Sequence, residues 1–395
     1  MPIFEHHAVV PASDGGSLLT VDERLPCVRG EVWRLPEVLD RLAPLVGRPT
    51  YLRLAHQARR GELHLRLHVL DASSCDGDRV AIDEADAERL APPELRPALE
   101  GWLAEQAGAP VPPERPAWAR PGWHAEAEAW AGVELQPVRL WPLSAVLRGE
   151  RADGRVYFKA VFPLFNHEPA VTEALAREHP YAVPELVAVD RERGWMLMRE
   201  LPGVHGYEVP GARWAPALRM MGGIQRAWAG RRDELVALGA QDRRLSTVAP
   251  EVAAVPELAR CLERLDGLAF PETIGHGDLH AGNIAIDERG GTVIFDWSDA
   301  CANHPLFDLA HFVHDVEDEQ VRAVLVDAWA AGWGEPLPAG ALELAAPLSC
   351  IHQAVSYRAI NAAAGPEGLW MFGGEPQRWL EKAYRLARGN ASQPG

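Results

Sequence analysis

The residues of this chain best suited to chemistry are carboxylates and an amide at close, regular spacing. Asp278 and Asn283 lie five residues apart in His276-Gly-Asp-Leu-His-Ala-Gly-Asn283, and Asp296 closes the apolar run that follows. Carboxylate and amide oxygens are hard donors, suited to a divalent cation that also takes phosphate oxygens. The runs 283–287 and 292–296 flank a Glu-Arg-Gly-Gly loop and read as a β-hairpin. If Asp287 pairs with Thr292, Asn283 faces Asp296 at the open end, where opposed Cβ atoms are about 4.5 to 5.5 Å apart. That pair is the expected Mg2+ site, with Mg-nucleotide geometry.

An Asp five residues ahead of a metal-binding Asn is the spacing of a kinase catalytic loop, in which the Asp takes the acceptor proton. With Phe295-Asp-Trp-Ser-Asp299 and Pro305-Leu-Phe-Asp-Leu-Ala310 added in order, the chain resembles the aminoglycoside phosphotransferase and choline kinase-like family. The resemblance implies an α+β, bilobal protein-kinase-like fold with a small antiparallel β N-lobe and a mainly helical C-lobe. It further implies an enzyme that uses ATP and Mg2+ to phosphorylate a hydroxyl of a small molecule, with Asp278 as the catalytic base and Asn283 and Asp296 as metal ligands. In that family the Asp of the Asp-Leu-Ala run braces the catalytic loop, so Asp308 is expected to be structural.

Other elements must bring nucleotide to these residues. Of 39 Lys and Arg residues only two are lysines, Lys159 and Lys382. An ammonium is a compact point charge that fits between phosphates. Lys159 sits in the alternating strand Val156-Tyr-Phe-Lys-Ala160, where a nucleotide lysine belongs. Its carboxylate partner is expected from the next helix, with Glu168 preferred and Glu173 the rival. The turn Trp141-Pro-Leu-Ser144 takes the place of a phosphate-covering loop but carries no glycine, so the Ser144 hydroxyl and nearby amides are its candidates. By the resemblance, the main chain of Met198, Arg199, Glu200 and Leu201 forms the hinge that reads adenine.

The 395 residues, 47% hydrophobic and 24% charged, form a globular composition long enough for two or three domains. Residues 1–108 read as an α/β domain, with strands at 5–10, 17–21, 51–55 and 62–70 and helical periodicity at 36–47 and 92–108. This skeleton is similar to that of a degenerate Nudix domain, since its first helix lacks the dense glutamates that bind metal there. Residues 109–123 are a Pro-rich linker, 124–203 the kinase-like N-lobe and hinge, and 204–395 the helical C-lobe. Helices are expected at 213–238, 250–266, 306–316, 319–332, 339–363 and 376–388.

A net charge of −17 argues against a nucleic-acid partner, because phosphate neutralisation needs clustered cations. A small cationic acceptor fits that charge, as does the acidic run from Asp315 to Glu319, although such runs are usually solvated helix ends. Five scattered cysteines without CxxC spacing fit a reducing cytoplasm, and no run of about 18 apolar residues points to a membrane.

Rival readings exist. His276, Asp278 and His280 would alternate on one strand face and could serve a metallohydrolase, but this leaves the hairpin and Lys159 without a role. A nucleotide-binding pseudokinase is the other alternative, and the full set of expected catalytic side chains speaks against it. His311 and His314 share a helical face without a third ligand. Asp299 stands near the metal Asp or in an exposed turn. Trp329, Trp333, Trp370 and Phe372 are aromatic candidates for an acceptor wall or for core.

Overall fold

The computed structural model describes residues 2–13, 15–314 and 316–391, so Asp315 of the acidic run lies outside the described residues. The chain forms two compact units. The first comprises Met1–Phe162 with Ala363–Met371, and the second Pro163–Ala362 with Phe372–Gly395.

In the first unit, β1 (Ile3–Val9), β2 (Ser17–Thr20), β3 (Cys27–Gly30), α1 (Leu35–Val46), β4 (Tyr51–Arg60), β5 (Leu63–Leu70), β6 (Asp78–Ala81), α2 (Ala87–Leu90) and α3 (Arg96–Gln106) precede the Pro-rich stretch. Strands β3-β1-β5-β4 make a mixed sheet in which β1 and β5 run parallel. Alternation buries Leu65, Leu67 and Val69 against Leu95, Leu99 and Trp102. The same sheet carries a buried polar chain. The His6 imidazole donates from Nε2 to Val32 O at 2.8 Å, which makes its Nδ1 the acceptor for His68 Nε2 at 2.9 Å. His68 Nδ1 then accepts from the Tyr51 hydroxyl at 3.0 Å, so every proton along the chain has a defined place.

Beyond the Pro-rich stretch come α4 (Trp123–Ala131) and the antiparallel strands β7 (Gln136–Trp141), β8 (Ser144–Arg151) and β9 (Gly154–Val161). Trp118 and Trp123 are buried, with the Trp118 indole donating to Trp141 O at 3.1 Å and Trp123 meeting the Phe158 ring edge-on. Segment Ala363–Met371 completes this unit, and its Trp370 ring packs on His56 at 5.5 Å.

The second unit begins with α5 (Glu168–Glu178), whose Pro169 is tolerated in the first turn. Then come β10 (Leu186–Asp190), β11 (Trp195–Arg199), β12 (Val204–His205), α6 (Ala215–Ala227), α7 (Arg232–Ala237), β13 (Gln241–Asp242), α8 (Leu245–Val252), α9 (Pro256–Asp266) and β14 (Thr273–Gly275). The hairpin β15 (Ile284–Ile286) and β16 (Thr292–Ile294) follows, with β17 (Cys301–Asn303), α10 (Leu306–His314), α11 (Glu319–Trp333), α12 (Ala341–Phe372, whose residues 363–371 belong to the first unit) and α13 (Glu375–Ala391). Its helices share one core that includes Met221, Trp228, Leu265, Trp297, Phe307 and Trp329. The α+β class and helical C-terminal half match the sequence reading.

Two expected helices differ. The helix expected over 213–238 is split, because Gly230 turns at φ 74. That over 250–266 is also two helices, since Pro256 forces Val255 into extended backbone at φ −120 and ψ 101. The helix expected to end at 363 does break there, since Gly365 at φ 48 and ψ −147 kinks the span Ala341–Phe372 into two helices.

The hairpin register also departs from expectation. Partners are Ile284 with Ile294, Ala285 with Val293 and Ile286 with Thr292. Asp287 therefore closes the loop with Gly291, its N–H donating to Gly291 O at 2.9 Å. The cause is the Asp287 side chain, whose Oδ1 accepts from the peptide nitrogens of Arg289 and Gly291, both at 2.8 Å, with Gly290 at φ 86. This shift by one residue sets Asn283 against Phe295, whose N–H donates to Asn283 O at 3.0 Å. Asn283 and Asp296 are thus not a directly opposed pair. Asp296 is displaced further from strand geometry by left-handed backbone, φ 63 and ψ 59.

Candidate active site

All of the loop around Asp278 belongs to the second unit, and its backbone is held from several sides. Asp308, 3% exposed on α10, accepts from the peptide nitrogens of His276 at 2.8 Å and Gly277 at 3.0 Å. Gln225 on α6 donates to Asp308 at 3.1 Å and receives the Trp329 indole at 2.8 Å. Gln353 on α12 donates to Gly277 O at 2.6 Å. Gly277 adopts φ 82, and a Cβ there would collide with the main-chain oxygen of Asp299. A loop so tied presents its side chains with little freedom.

His276 is fully buried on the Trp297 ring, donating from Nε2 to Phe295 O at 3.0 Å and accepting from Asp278 N at 3.3 Å. Burial pushes its pKa down to about 4. Both ring nitrogens are thereby committed. His280 Nδ1 accepts from Gly282 N at 2.9 Å and from the Tyr207 hydroxyl at 3.0 Å, and the Tyr207 ring stacks on it. These contacts, and the absence of strand structure at 276–280, remove the metallohydrolase arrangement of His276, Asp278 and His280.

The Asp278 side chain is 41% exposed and carries an imidazole on each side, His280 Nε2 at 3.6 Å from Oδ2 and His311 Nε2 at 4.0 Å from Oδ1. Its carboxyl pKa is raised, first by desolvation and then by the charges of Asp299 and Asp296, against the opposing hydrogen bond of His280. For His280, burial opposes protonation, but the hydrogen bond and charge of Asp278 with the charge of Asp296 raise its pKa overall.

Asn283, 7% exposed, donates its Nδ2 to the main-chain oxygen of Asp278 at 2.9 Å. That commitment leaves the hard oxygen Oδ1 as the remaining side-chain atom. Asp296 accepts from Ser298 Oγ at 2.9 Å. Asp299 is bound by Arg243 at 3.2 Å and Ser356 at 2.8 Å, which makes it an anchored carboxylate rather than an exposed turn residue. An amide oxygen and neighbouring carboxylates, two of which raise the pKa of Asp278, are a donor set fitting Mg2+.

The other expected residues are distributed between the two units. In the first, Lys159 is 6% exposed in β9, and Ser144 follows a two-residue turn, Pro142-Leu143, with its Oγ accepting from the Trp141 indole at 2.6 Å. In the second, Glu168 is 2% exposed in the first turn of α5. Glu173 instead pairs with Arg191 and, at 3.3 Å, with Arg177. Arg199 donates its amide to Glu185 O at 2.9 Å, so among Met198, Arg199, Glu200 and Leu201 that donor is already used.

Trp329 and Trp333 stack in the core, Trp370 belongs to the first unit, and Phe372 lies against Tyr357 at 6.1 Å. Tyr207, Gln225, Arg243 and Gln353 were not singled out by sequence reasoning. Each is a lone residue far along the chain from the loop it supports, with no local pattern to mark it. In the acidic run, Asp318 caps α11, accepting from the peptide nitrogens of Gln320 and Val321.

The profile of the phosphotransferase enzyme family matches residues 144–344, 201 of the 395. The chain belongs to the phosphotransferase enzyme family, and it is a small-molecule kinase in its enzyme class. No curated protein sequence matches it. Among solved structures it is similar to a choline/ethanolamine kinase family protein from Mesorhizobium loti, at 17% identity and TM-score 0.50, covering 69% of this chain and 94% of that one. A second is choline kinase LicA from Streptococcus pneumoniae, at 11% identity and TM-score 0.49, covering 68% and 98%. A third, the GDP and kanamycin complex of APH(2")-IIia, has 15% identity and TM-score 0.47, covering 68% and 98%. The fold is thus protein-kinase-like. No described helix is long and apolar enough to cross a membrane.

Proposed function

We propose that the protein moves the γ-phosphoryl group of ATP to a hydroxyl of a small molecule, with Mg2+. The observation that carries this reading is the Asp278 carboxylate, part-exposed on a loop fixed by Asp308, Gln353 and Asn283. In the reaction the acceptor hydroxyl gives its proton to Asp278 as its oxygen bonds to the γ-phosphorus. The bond from that phosphorus to the β,γ-bridging oxygen breaks, and ADP leaves.

Phosphoryl transition states are loose, so positioning and electrostatics supply most of the acceleration. Asn283 Oδ1 and Asp296 would hold Mg2+, which supplies positive charge against the phosphate oxygens. Protonated His280 beside Asp278 would favour its ionised form, the form able to accept a proton. Lys159 would bind the α- and β-phosphates, with Glu168 as its carboxylate partner, Ser144 at the phosphates, and the main chain of Met198, Glu200 and Leu201 at adenine. Residues 1–108 are assigned a structural or acceptor-capping role.

The test is ADP release from Mg-ATP across a panel of hydroxyl acceptors, beside Asp278→Asn. Acceptor-stimulated release that persists undiminished in the variant would overturn the assignment.

A further inference from the structure

A basic cavity lies two contacts away from Asp278. His311 approaches the carboxylate at 4.0 Å, and its ring packs on Trp379 of α13 with centroids 5.4 Å apart. Trp379 also lines a cavity of about 430 Å³ with His314, Arg378, Lys382, Arg385 and Leu386. His311 and His314 are three residues apart on α10, and Arg378, Lys382 and Arg385 recur at helical spacing on α13, so each helix turns one face to this place. The size suits a small ligand.

The charge of this cavity is opposite to that of the chain. Against a net charge of −17, the described lining residues include three permanent cations and no carboxylate. The Arg378 guanidinium lies 5.1 Å from the Trp379 ring centroid and Lys382 Nζ 4.9 Å from it. Glu375 offsets Arg378 through an ion pair, while Arg385 has no carboxylate partner among the described residues. Lys382 is one of the chain's two lysines. A cationic acceptor here would meet like charges, whereas an anion would be drawn in.

We propose that this cavity seats the acceptor, and that the acceptor is an anionic hydroxylated small molecule bearing a carboxylate or a phosphate. The anionic end sits at Lys382 and Arg385, the carbon skeleton lies on Trp379, and the hydroxyl reaches past His311 to Asp278. This rests on the reading of Asp278 as the acceptor's base. Lys382 and Arg385 are specificity-determining residues, and the sign is opposite to that suggested by the chain's bulk charge.

The experiment uses the full chain and acceptors of matched skeleton: gluconate, glucose and glucosamine, with glycerol 3-phosphate beside glycerol. ADP release and calorimetric binding are measured in the wild type and in Lys382→Gln, Arg385→Gln and the double variant. One of the two anions should exceed its neutral counterpart in kcat/KM by about tenfold or more, and which one does separates carboxylate from phosphate. Each single variant should raise KM for that anion about tenfold with kcat within about twofold, and added salt should do the same to the wild type. Preference for glucosamine, or an anion KM unmoved by the double variant, overturns the proposal while leaving the kinase reading intact. Binding of an anion that the double variant abolishes, without ADP release, supports the basic site and removes the kinase reading. If neither anion binds and neither is turned over, the proposal is overturned.

Discussion

The side-chain amide of Asn283 donates to the main-chain oxygen of Asp278 at 2.9 Å, so one residue both fixes the loop of the proposed base and offers an oxygen to the proposed metal. Asn283→Ala should raise the Mg2+ concentration for half-maximal ADP release by about 10- to 100-fold, the range seen when ligand support is lost. A Mg2+ titration reads this directly, and an unchanged midpoint would remove Asn283 from the metal site.

Asp278→Asn keeps the side-chain shape and removes the proton acceptor. Turnover should fall by about 10² to 10⁴, the usual contribution of a general base. ATP affinity, measured by calorimetry, should stay within about twofold because the residue is assigned to the acceptor side.

Asp308→Ala would leave the peptide nitrogens of His276 and Gly277 buried without their acceptor. Each such loss costs about 1 to 3 kcal/mol, so urea unfolding should show a destabilisation of that order. Asp308→Asn retains one acceptor oxygen and should lose less. Equal stability of the alanine variant would mean the loop is held by its other ties alone.

The hairpin itself was legible in the sequence, from apolar runs around paired glycines, and its register was not. Counting four loop residues ignored Asp287, whose carboxylate caps Arg289 and Gly291 and draws Gly291 into pairing. Long amphipathic helices were found, but their interruptions at Gly230 and Val255 depend on single backbone angles. The spacing from Asp278 to Asn283 named a loop, while its supports, Gln225, Gln353 and Tyr207, come from remote helices and turns that tertiary packing alone brings near. Lys382 carried a compositional signal whose meaning required the face of α13.

The His6, His68 and Tyr51 chain makes the first unit sensitive to acid. Burial lowers His6 to about 4 and His68 well below its ordinary 6.5. The unfolded chain therefore binds more protons between these values and pH 6.5. The stabilisation is complete above pH 6.5 and is lost as pH falls toward 4. Hydrogen exchange of β1 and β5 amides between pH 7 and 4, corrected for intrinsic rates, should show protection falling across that window. His68→Phe should flatten the dependence, and a profile identical to wild type would contradict the account.

Segment Ala363–Met371 belongs to the first unit although the 200 residues of 163–362 intervene. A ribosome making this protein therefore releases β1 to β9 long before the strip bearing Trp370 exists, and His56 waits without its ring partner through most of synthesis. The N-terminal unit, first to emerge, is among the last to be finished. A nascent chain stalled near residue 200 should hold it in a loosened, protease-sensitive form, and supplying the late strip should tighten it.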